Sequence, residues 1–488
     1  MSVKVNKELK SKILFIIICL LAIGNYQWSM ADGQSCSTAR HPRHAKSLAR
    51  RAPAARRASL YTGQKRQLVL LAAFSDLQFK SNNPLLLWNN IFNQPQFQDI
   101  PFQGSVHDYF NDQSYGLFDL QFDLYYVQVD QKASVYRSIG TDDSGAGLLL
   151  MDLIAAMGDE VEDWTVYDWN DDRYVDQVFI LFAGYGQNDG GSSQTIWPHQ
   201  WNLHEQGREP LTVGQSLKVD NYACFPELSG RGDYGSFGTL CHEYGHCLGL
   251  PDFYYGSHKV VGNWDIMDYG NYNNGGYCPA GYSAHERMVL GWLTPTELTE
   301  PISISGMPPL TSDPVAYLVR NDGYAEEYYI LENRQQQGWD KHLPGSGLLI
   351  FHVDYDEKEW MTGFPNNKEV ERYTIIPANG APYYSYQEGW AWPQGTRDSL
   401  TNISVPYAKL LHDNIDGSRL LSKPITHIAV TDGLASFSFM GGTATSITEL
   451  PMPNSQRLYS FGPIYIIRYP NGQVKKVMKG ITESYTSH

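Results

Sequence analysis

The residues with the clearest chemical potential lie in one short stretch, CHEYGHCLGLPD. His242 and His246 are four residues apart, which on a helix places both imidazoles on one face, within reach of one metal ion. Gly249 permits the tight or left-handed turn that ends such a helix, so Asp252 can fold back as a third ligand. Three protein ligands leave a fourth position open, as a catalytic zinc ion requires. The spacing therefore predicts a zinc hydrolase.

Glu243, next to the first histidine, is the predicted general base, because its carboxylate can reach a water molecule without binding the metal. Two alternatives compete with this interpretation. The stretch is either a polar surface helix with two solvated histidines, or the metal site of an inactive relative that keeps it for structure. Glu243 argues against the second alternative, since a purely structural site has no use for a carboxylate at that position.

A second stretch, WDIMDYG, follows the histidines. Met267 is expected to form a methionine turn beneath the metal site, as in metzincin peptidases, because a flexible thioether packs well against imidazoles. Tyr269 is the candidate residue for steadying the transition state at the metal. Ordinary core packing is the alternative for both residues.

The distribution of charge separates the first part of the chain from the rest. The 488 residues carry a net charge of −15, yet residues 1–66 hold 13 Lys and Arg against two acidic residues, so the remainder is about −26. Phosphate would be repelled by so acidic a protein, which argues against nucleic-acid binding. Lysines followed by a short apolar run predict a signal peptide over 1–31, and hence secretion without stable membrane insertion.

Residues 32–66 are rich in Arg, Ala and His and contain basic pairs, which predicts a propeptide removed by proteolysis and therefore a zymogen. A merely disordered basic arm is the alternative. Cys36 in this arm is a candidate thiolate ligand that would keep the enzyme latent.

The remaining residues predict an α+β protein. Residues 67–300 are expected to form the catalytic domain, with a mixed sheet and the helix that carries the histidines. Residues 301–443 form a β-rich region continuous with it, and residues 444–488 form a tail with a hairpin signal. A strand edge near Thr195–Trp201 favours polypeptide binding by strand addition.

Four cysteines follow the basic arm, and their disulfide pairing stays open because export permits three pairings: Cys224, Cys241, Cys247 and Cys278. Four histidines are expected to be surface or core residues and not ligands: His204, His258, His285 and His352.

The chain resembles the immune inhibitor A family of secreted zinc metallopeptidases, especially the forms common in Bacteroidetes, over roughly residues 64–440. The resemblance rests on the metal stretch and on several further segments: VHDYFNDQSYG (106–116), VDQVFILFAGYG (175–186), IWPHQW (196–201), GNWDIMDYG (262–270), AHERMVLGW (284–292) and LPGSGLLIFHVDYD (343–356). It implies a metzincin-like zincin fold with aspartate, here Asp252, as the third zinc ligand. The tail is loosely similar to C-terminal sorting segments, which implies attachment to the cell surface.

The family also implies an oxygen-rich loop before one strand, where this chain reads DWNDDRYVD. Asp168, Asn170, Asp172 and Asp176 place hard oxygens along the loop, as Ca²⁺ requires. Arg173 stands where such a loop prefers glycine. The loop is therefore either a calcium site or a solvated acidic turn.

Together these features predict a secreted zinc endopeptidase that acts on proteins or peptides. Its pH optimum is expected to be neutral to alkaline, because the anionic Asp252 leaves the zinc less Lewis-acidic than a third histidine would. Two other function classes remain open. One is a catalytically inactive zinc-binding protein, and the other is a zinc hydrolase of a non-peptide amide or ester.

Overall fold

The computed structural model of the protein describes residues 60–140, 142–235, 237–381 and 385–442, together with five strands of the tail between 448 and 482. The predicted signal peptide (1–31) and most of the basic arm, including Cys36, lie outside the described residues. None of the described helices combines the length and the apolar character needed to cross a membrane.

Residues 60–290 contain one main sheet and the helices that surround it. These helices are α1 Pro84–Asn93, α2 Val106–Gln113, α3 Gly145–Met157, α4 Phe237–Cys247 and α5 Ala284–Val289. The strands of this region are β1 Gly63–Ala73, β2 Phe118–Gln128, β3 Tyr174–Val175, β4 Val178–Tyr185, β5 His199–Asn202, β6 Leu211–Thr212, β7 Lys218–Val219 and β8 Asn221–Leu228.

The main sheet has the strand order β2-β1-β4-β8-β5. The first four strands are parallel, and β5 pairs antiparallel with β8 at the edge. Strand β4 reads VFILFAGY and is buried except at its last residue, because parallel strands covered on both faces need a continuous apolar sequence. The mixed sheet is the one expected from the sequence, and β3, β7 and β6 form a small separate sheet.

Strand β1 begins before the expected start of the catalytic domain at residue 67. Gly63 already pairs with Phe118, and Arg66 donates a hydrogen bond to Asp123 at 2.7 Å from within the strand. Tyr61, two residues earlier, is buried, and its carbonyl accepts a hydrogen bond from the Trp292 indole at 2.7 Å. Cleavage after the basic pair at residues 65–66 would therefore cut inside a central strand.

The rest of the chain is rich in strands and contains the short helix α6 Glu357–Met361. Its strands are β9 Thr296–Glu297, β10 Ile302–Met307, β11 Tyr317–Arg320, β12 Glu327–Arg334, β13 Gly347–Asp354, β14 Tyr373–Ile375, β15 Ile425–Thr431 and β16 Leu434–Phe439. They form a five-stranded sheet in the order β14-β13-β12-β11-β9 and a three-stranded sheet in the order β10-β16-β15. This confirms the α+β class with a β-rich region that follows the main sheet.

Strands β12 and β13 are buried along their whole length because each face covers a different core. Ile330 and Phe351 on one face belong to the same apolar core as Met267 beside the metal stretch. Leu331 and Ile350 on the other face pack in a second core with the three-stranded sheet. Alternation along a strand sends neighbouring residues to opposite faces, so one sheet supports both cores.

The tail contributes an antiparallel meander of β17 Thr448–Pro451, β18 Arg457–Phe461, β19 Ile464–Arg468, β20 Val474–Met478 and β21 Ile481–Thr482. Strands β19 and β20 pair antiparallel on either side of the expected turn at residues 470–472.

Candidate metal centre

Helix α4 carries the paired histidines and is buried from Phe237 to His246. Two glycines, two turns apart, bring another segment directly against its backbone. A Cβ at Gly238 would lie 1.9 Å from the carbonyl oxygen of Asn271, and a Cβ at Gly245 would lie 2.6 Å from Met267 Sδ. The residues around Met267 therefore pack on the helix more closely than any side chain at these positions would allow.

The helix ends as the glycine in its sequence predicts. Gly249 has φ +91°, a left-handed conformation in which other residues are strained. The Leu250 N–H donates to the carbonyl of Gly245 at 3.0 Å, so the chain reverses within one turn. This reversal directs Asp252 back towards the two histidines.

The structure brings His242, His246 and Asp252 together. Asp252 Oδ1 lies 3.3 Å from His242 Nε2 and 3.3 Å from His246 Nε2, and all three side chains are buried. Their ligand atoms all lie within 4.8 Å of one another. Within the described part of the chain, this is the one group of three or more His, Cys, Asp or Glu side chains that converges in this way.

Backbone carbonyls orient both imidazoles. His242 Nδ1 lies 2.7 Å from the carbonyl oxygen of Ile266, and His246 Nδ1 lies 2.9 Å from that of Leu250. A carbonyl oxygen only accepts, so each Nδ1 carries a proton and each Nε2 is turned towards Asp252. Two imidazole Nε2 atoms facing one carboxylate oxygen at 3.3 Å form an arrangement that a shared cation stabilises.

The polar atoms at this centre fit a metal ion. His242 Nε2, His246 Nε2 and both carboxylate oxygens of Glu243 are buried without a hydrogen-bond partner among the described residues. Buried polar atoms are normally paired, because leaving one unpaired costs about 1–3 kcal/mol. Two imidazoles and one carboxylate form a donor set that suits zinc.

The charges favour a cation at the same place. Burial lowers the pKa of His242, but the Asp252 carboxylate and then Glu243 raise it more, to about 9. Burial raises the pKa of Asp252, yet the two imidazoles oppose this and lower it below its ordinary value. The carboxylates therefore favour positive charge at this place, and a proton on His242 Nε2 would have to leave before a metal ion could bind there.

The segment after the metal stretch contacts one ligand, His242, and the residue next to another, Asp252. The Ile266 carbonyl accepts from His242, and the next carbonyl, that of Met267, accepts from the Phe253 N–H at 3.0 Å. Asp265 Oδ1 accepts from the Met267 N–H at 2.8 Å. Met267 itself is fully buried against Gly245. The turn therefore connects the helix with the residue that follows Asp252.

Comparison with known proteins agrees with this geometry. Residues 57–290 match a family model described as the catalytic domain of immune inhibitor A peptidase M6. Over these residues the chain is similar to the immune inhibitor A peptidase family. The resemblance inferred from the sequence is therefore confirmed for this part of the chain, while the origin in Bacteroidetes stays a prediction.

Two named proteins are similar in sequence to this chain. The chain is 29% identical over 263 residues to "Immune inhibitor A" of Bacillus thuringiensis subsp. alesti, an alignment that covers 43% of this chain and 37% of that protein. It is 31% identical over 150 residues to "Pre-pro-metalloprotease PrtV" of Vibrio cholerae serotype O1, covering 27% of this chain and 16% of that protein. The chain thus matches well under half the length of either relative.

Tyr269 is half-buried, and its ring meets that of Tyr254 edge-on at 6.2 Å. Tyr254 in turn stacks on the His242 ring at 6.5 Å between centroids. Lys259 places its Nζ 3.8 Å from the centre of the Tyr269 ring, within the range of a cation–π interaction. Tyr254 was not anticipated, although it lies only two residues beyond Asp252 in the sequence.

Asp268 is a second residue that the sequence analysis missed. Its Oδ2 accepts hydrogen bonds from the backbone N–H groups of Val260, Val261 and Gly262 at 2.8, 2.8 and 2.9 Å. It ties the loop after Asp252 to the methionine turn. Its position directly after Met267 was the available signal, because a buried carboxylate in such a turn must find donors.

The acidic loop at residues 168–176 is organised differently. Asp168 accepts from the backbone N–H groups of Asp172 and Arg173 at 3.1 and 2.9 Å, and Asn170 accepts from Asp172 at 2.9 Å. Asp176 accepts from the Trp169 N–H at 2.6 Å. The loop carboxylates belong to no converging group of three ligands among the described residues, so calcium binding has no support here.

The described cysteines form no disulfide with one another. Cys224 on β8 lies 3.5 Å from His199 Nδ1 on the edge strand β5, and burial raises its pKa. None of the four histidines expected to be non-ligands joins the metal triad. His285, for example, is enclosed by aromatic rings, and burial lowers its pKa to about 3.

Proposed function

We propose that this protein is an exported zinc metalloendopeptidase. The observation that carries the proposal is the combination of converging ligand atoms with buried, unpaired polar atoms at one point. His242, His246 and Asp252 supply three ligands, and Glu243 presents two carboxylate oxygens without a partner among the described residues. The match of residues 57–290 to the peptidase family model supports peptide bonds as the substrate.

His242, His246 and Asp252 would hold the zinc ion. When bound, zinc supplies Lewis-acid polarisation of a carbonyl group and makes a water molecule more acidic. The Ile266 and Leu250 carbonyls keep both imidazoles in the tautomer that presents Nε2 to the ion. Asp252 supplies negative charge, which makes the centre less electrophilic than three histidines would.

Glu243 performs the proton transfers in this proposal. Its carboxylate accepts a proton from the attacking water and then donates it to the nitrogen of the departing amine. The absence of hydrogen bonds to its oxygens in the described structure leaves both available for this work. Tyr269 is proposed to steady the oxyanion that develops on the scissile carbonyl, at a site bordered by Tyr254.

An extended polypeptide is the proposed substrate. Strand β5 lies at the edge of the main sheet and runs antiparallel to β8, the last strand before α4. A substrate that adds to this edge as a further strand would run towards the metal centre through backbone hydrogen bonds. Such recognition depends little on side chains and suits an enzyme that cleaves proteins.

The basic, apolar N-terminal segment supports export, and the arm that follows it supports maturation from a zymogen. The tail remains a proposed sorting segment.

The test compares wild-type protein with Glu243→Ala and with a control variant, Cys241→Ala, at a buried neighbour on the same helix. Zinc content is measured first, and cleavage of a generic unfolded protein and of a non-peptide ester is measured next. We expect all three proteins to retain zinc and only Glu243→Ala to lose proteolysis. Equal proteolysis in Glu243→Ala would refute the mechanism. Wild-type protein that binds zinc but cleaves neither substrate would favour a binding protein. Wild-type protein that cleaves only the ester would favour a non-peptide hydrolase.

A further inference from the structure

The segment that carries the third ligand is held by the β-rich half of the chain, outside the residues that match the family model. The Asp252 N–H donates to the carbonyl of Gly363 at 3.0 Å. The carbonyl of the next residue, Phe253, accepts from Asn366 Nδ2 at 2.7 Å. Both backbone positions beside the ligand carboxylate are therefore fixed from the other half of the protein.

Asn366 is itself locked to strand β14. Its Nδ2 donates to the Tyr373 carbonyl at 2.9 Å, and its Oδ1 accepts from the Tyr373 N–H at 2.9 Å. The Tyr373 ring stacks on the Phe253 ring with 3.8 Å between centroids and 22° between planes. Asn366, Phe253 and Tyr373 are all fully buried. Polar and aromatic contacts thus hold the same dipeptide, Asp252-Phe253.

The Tyr373 hydroxyl reaches the other side of the centre. It lies 3.1 Å from Asp265 Oδ2 and 2.7 Å from Ser283 Oγ, and a hydroxyl can donate one bond and accept another. Asp265 orients the Met267 N–H, and the carbonyl between these two residues, that of Ile266, orients His242. One side chain therefore contacts the segment of Asp252 and the turn that orients His242.

We infer that Tyr373, together with Asn366, is a positioning residue of the metal centre. It sets the separation between the Asp252 segment and the methionine turn, so that the affinity for zinc depends on the β-rich half of the chain. The inference rests on the proposed zinc site. Tyr373 acts through Phe253 and Asp265, and Asn366 acts through Phe253 and Tyr373.

The expected effect is on how long zinc stays bound. Residues that orient ligands typically change metal affinity by about 10- to 100-fold when they are replaced, because a loosened ligand must be ordered again each time the ion binds. Removing only the hydroxyl keeps the Phe253 stack and frees Asp265, so the lower end of that range applies.

The experiment compares Tyr373→Phe with a matched control, Tyr329→Phe. Tyr329 is also a fully buried tyrosine of the same sheet, but its hydroxyl donates to the Lys409 carbonyl at 2.6 Å within the second core. Zinc release into excess chromogenic chelator is timed for each protein, and the melting temperature of each zinc-free form is recorded. We expect release from Tyr373→Phe to be about 10-fold faster and release from Tyr329→Phe to match wild type, with similar melting temperatures in both zinc-free variants.

A second variant, Asn366→Ala, removes all three side-chain bonds to Phe253 and Tyr373 and is expected to release zinc faster still. Release at the wild-type rate from both Tyr373→Phe and Asn366→Ala would overturn the inference. Equal acceleration in Tyr373→Phe and Tyr329→Phe would also overturn it, since general loosening would then explain the result. A wild-type protein that binds no zinc would instead refute the proposed function.

Discussion

Two regions of this molecule are candidate metal sites by sequence and differ in what their carboxylates do. At the metal centre, Asp252 faces two imidazole nitrogens that have no other hydrogen-bond partner among the described residues. In the acidic loop, Asp168 and Asp176 accept hydrogen bonds from backbone N–H groups of the loop itself. The metal centre therefore has ligand atoms available for a cation, whereas the carboxylate oxygens of the acidic loop are already hydrogen-bonded to the backbone of their own turn.

The difference shows why a count of acidic residues is a poor guide to metal sites. An Asp or Asn side chain readily caps a nearby backbone N–H, which gives a stable turn with no ion. In this loop Asp171 and Arg173 adopt φ of +58° and +72°, and side-chain acceptors hold that backbone in place. At the centre, by contrast, the N–H groups near the ligands are bonded to backbone carbonyls, so the side chains remain for the ion.

Replacing a ligand should give the largest effect. We expect Asp252→Ala to weaken zinc binding more than about 100-fold, beyond the range for residues that only orient ligands. Proteolysis should fall to background. Metal content after dialysis and competition with a chelator would measure the change, with Asp168→Ala as the control that keeps its zinc. Stoichiometric zinc in Asp252→Ala would contradict the proposed ligand set.

Removing zinc tests the difference between the metal centre and the acidic loop without a mutation. A ligand present at 1,000 times its Kd stabilises the folded state by about 4 kcal/mol. We therefore expect the zinc-free protein to melt at a markedly lower temperature, and added zinc to restore the wild-type value. Calcium added to the zinc-free or the zinc-loaded protein should leave the melting temperature unchanged. A rise with calcium would revive the loop as a calcium site.

Breaking the acidic loop should cost stability and leave metal binding intact. Asp168→Ala removes the acceptor of two backbone hydrogen bonds, which we expect to lower the free energy of unfolding by about 1 kcal/mol. Urea unfolding with and without added calcium measures this. A loss of stability that appears only in the presence of calcium would contradict the interpretation that the loop carboxylates are paired with backbone N–H groups and bind no ion.

An effect confined to high pH is expected at the same loop. Burial raises the pKa of Asp176 to about 7, whereas an unfolded aspartate titrates near 3.9. Its contribution to stability is therefore fully present below about pH 4 and is lost as the pH rises through 7. We expect Asp176→Asn, which keeps an acceptor for the Trp169 N–H, to be more stable than wild type at pH 8 but not at pH 4.

Urea unfolding of both proteins at the two pH values checks this sign. A variant that is less stable than wild type at pH 8 in the presence of calcium would instead indicate that the ionised carboxylate binds the ion.

The sequence predicted the metal stretch in detail because its geometry is local. The main sheet and the β-rich region also followed from patterns of apolar residues. The start of the first strand did not follow from the sequence. Lys65 and Arg66 resemble a cleavage site in a propeptide, and only the pairing of residues 63–66 with β2 shows that they belong to a strand. Tyr254 and Asp268 were missed for a similar reason, because their roles depend on the path of the loop between them.

By itself, the sequence determined which side chains can meet on one helix and where that helix must end. The separation of His242 and His246 and the position of Gly249 are enough for this, because helical periodicity and a left-handed turn act over a few residues. Only the tertiary structure decided what holds Asp252 and the methionine turn in place. Asn366 and Tyr373 lie more than one hundred residues away along the chain, and no local pattern encodes a contact made through the packing of two distant segments.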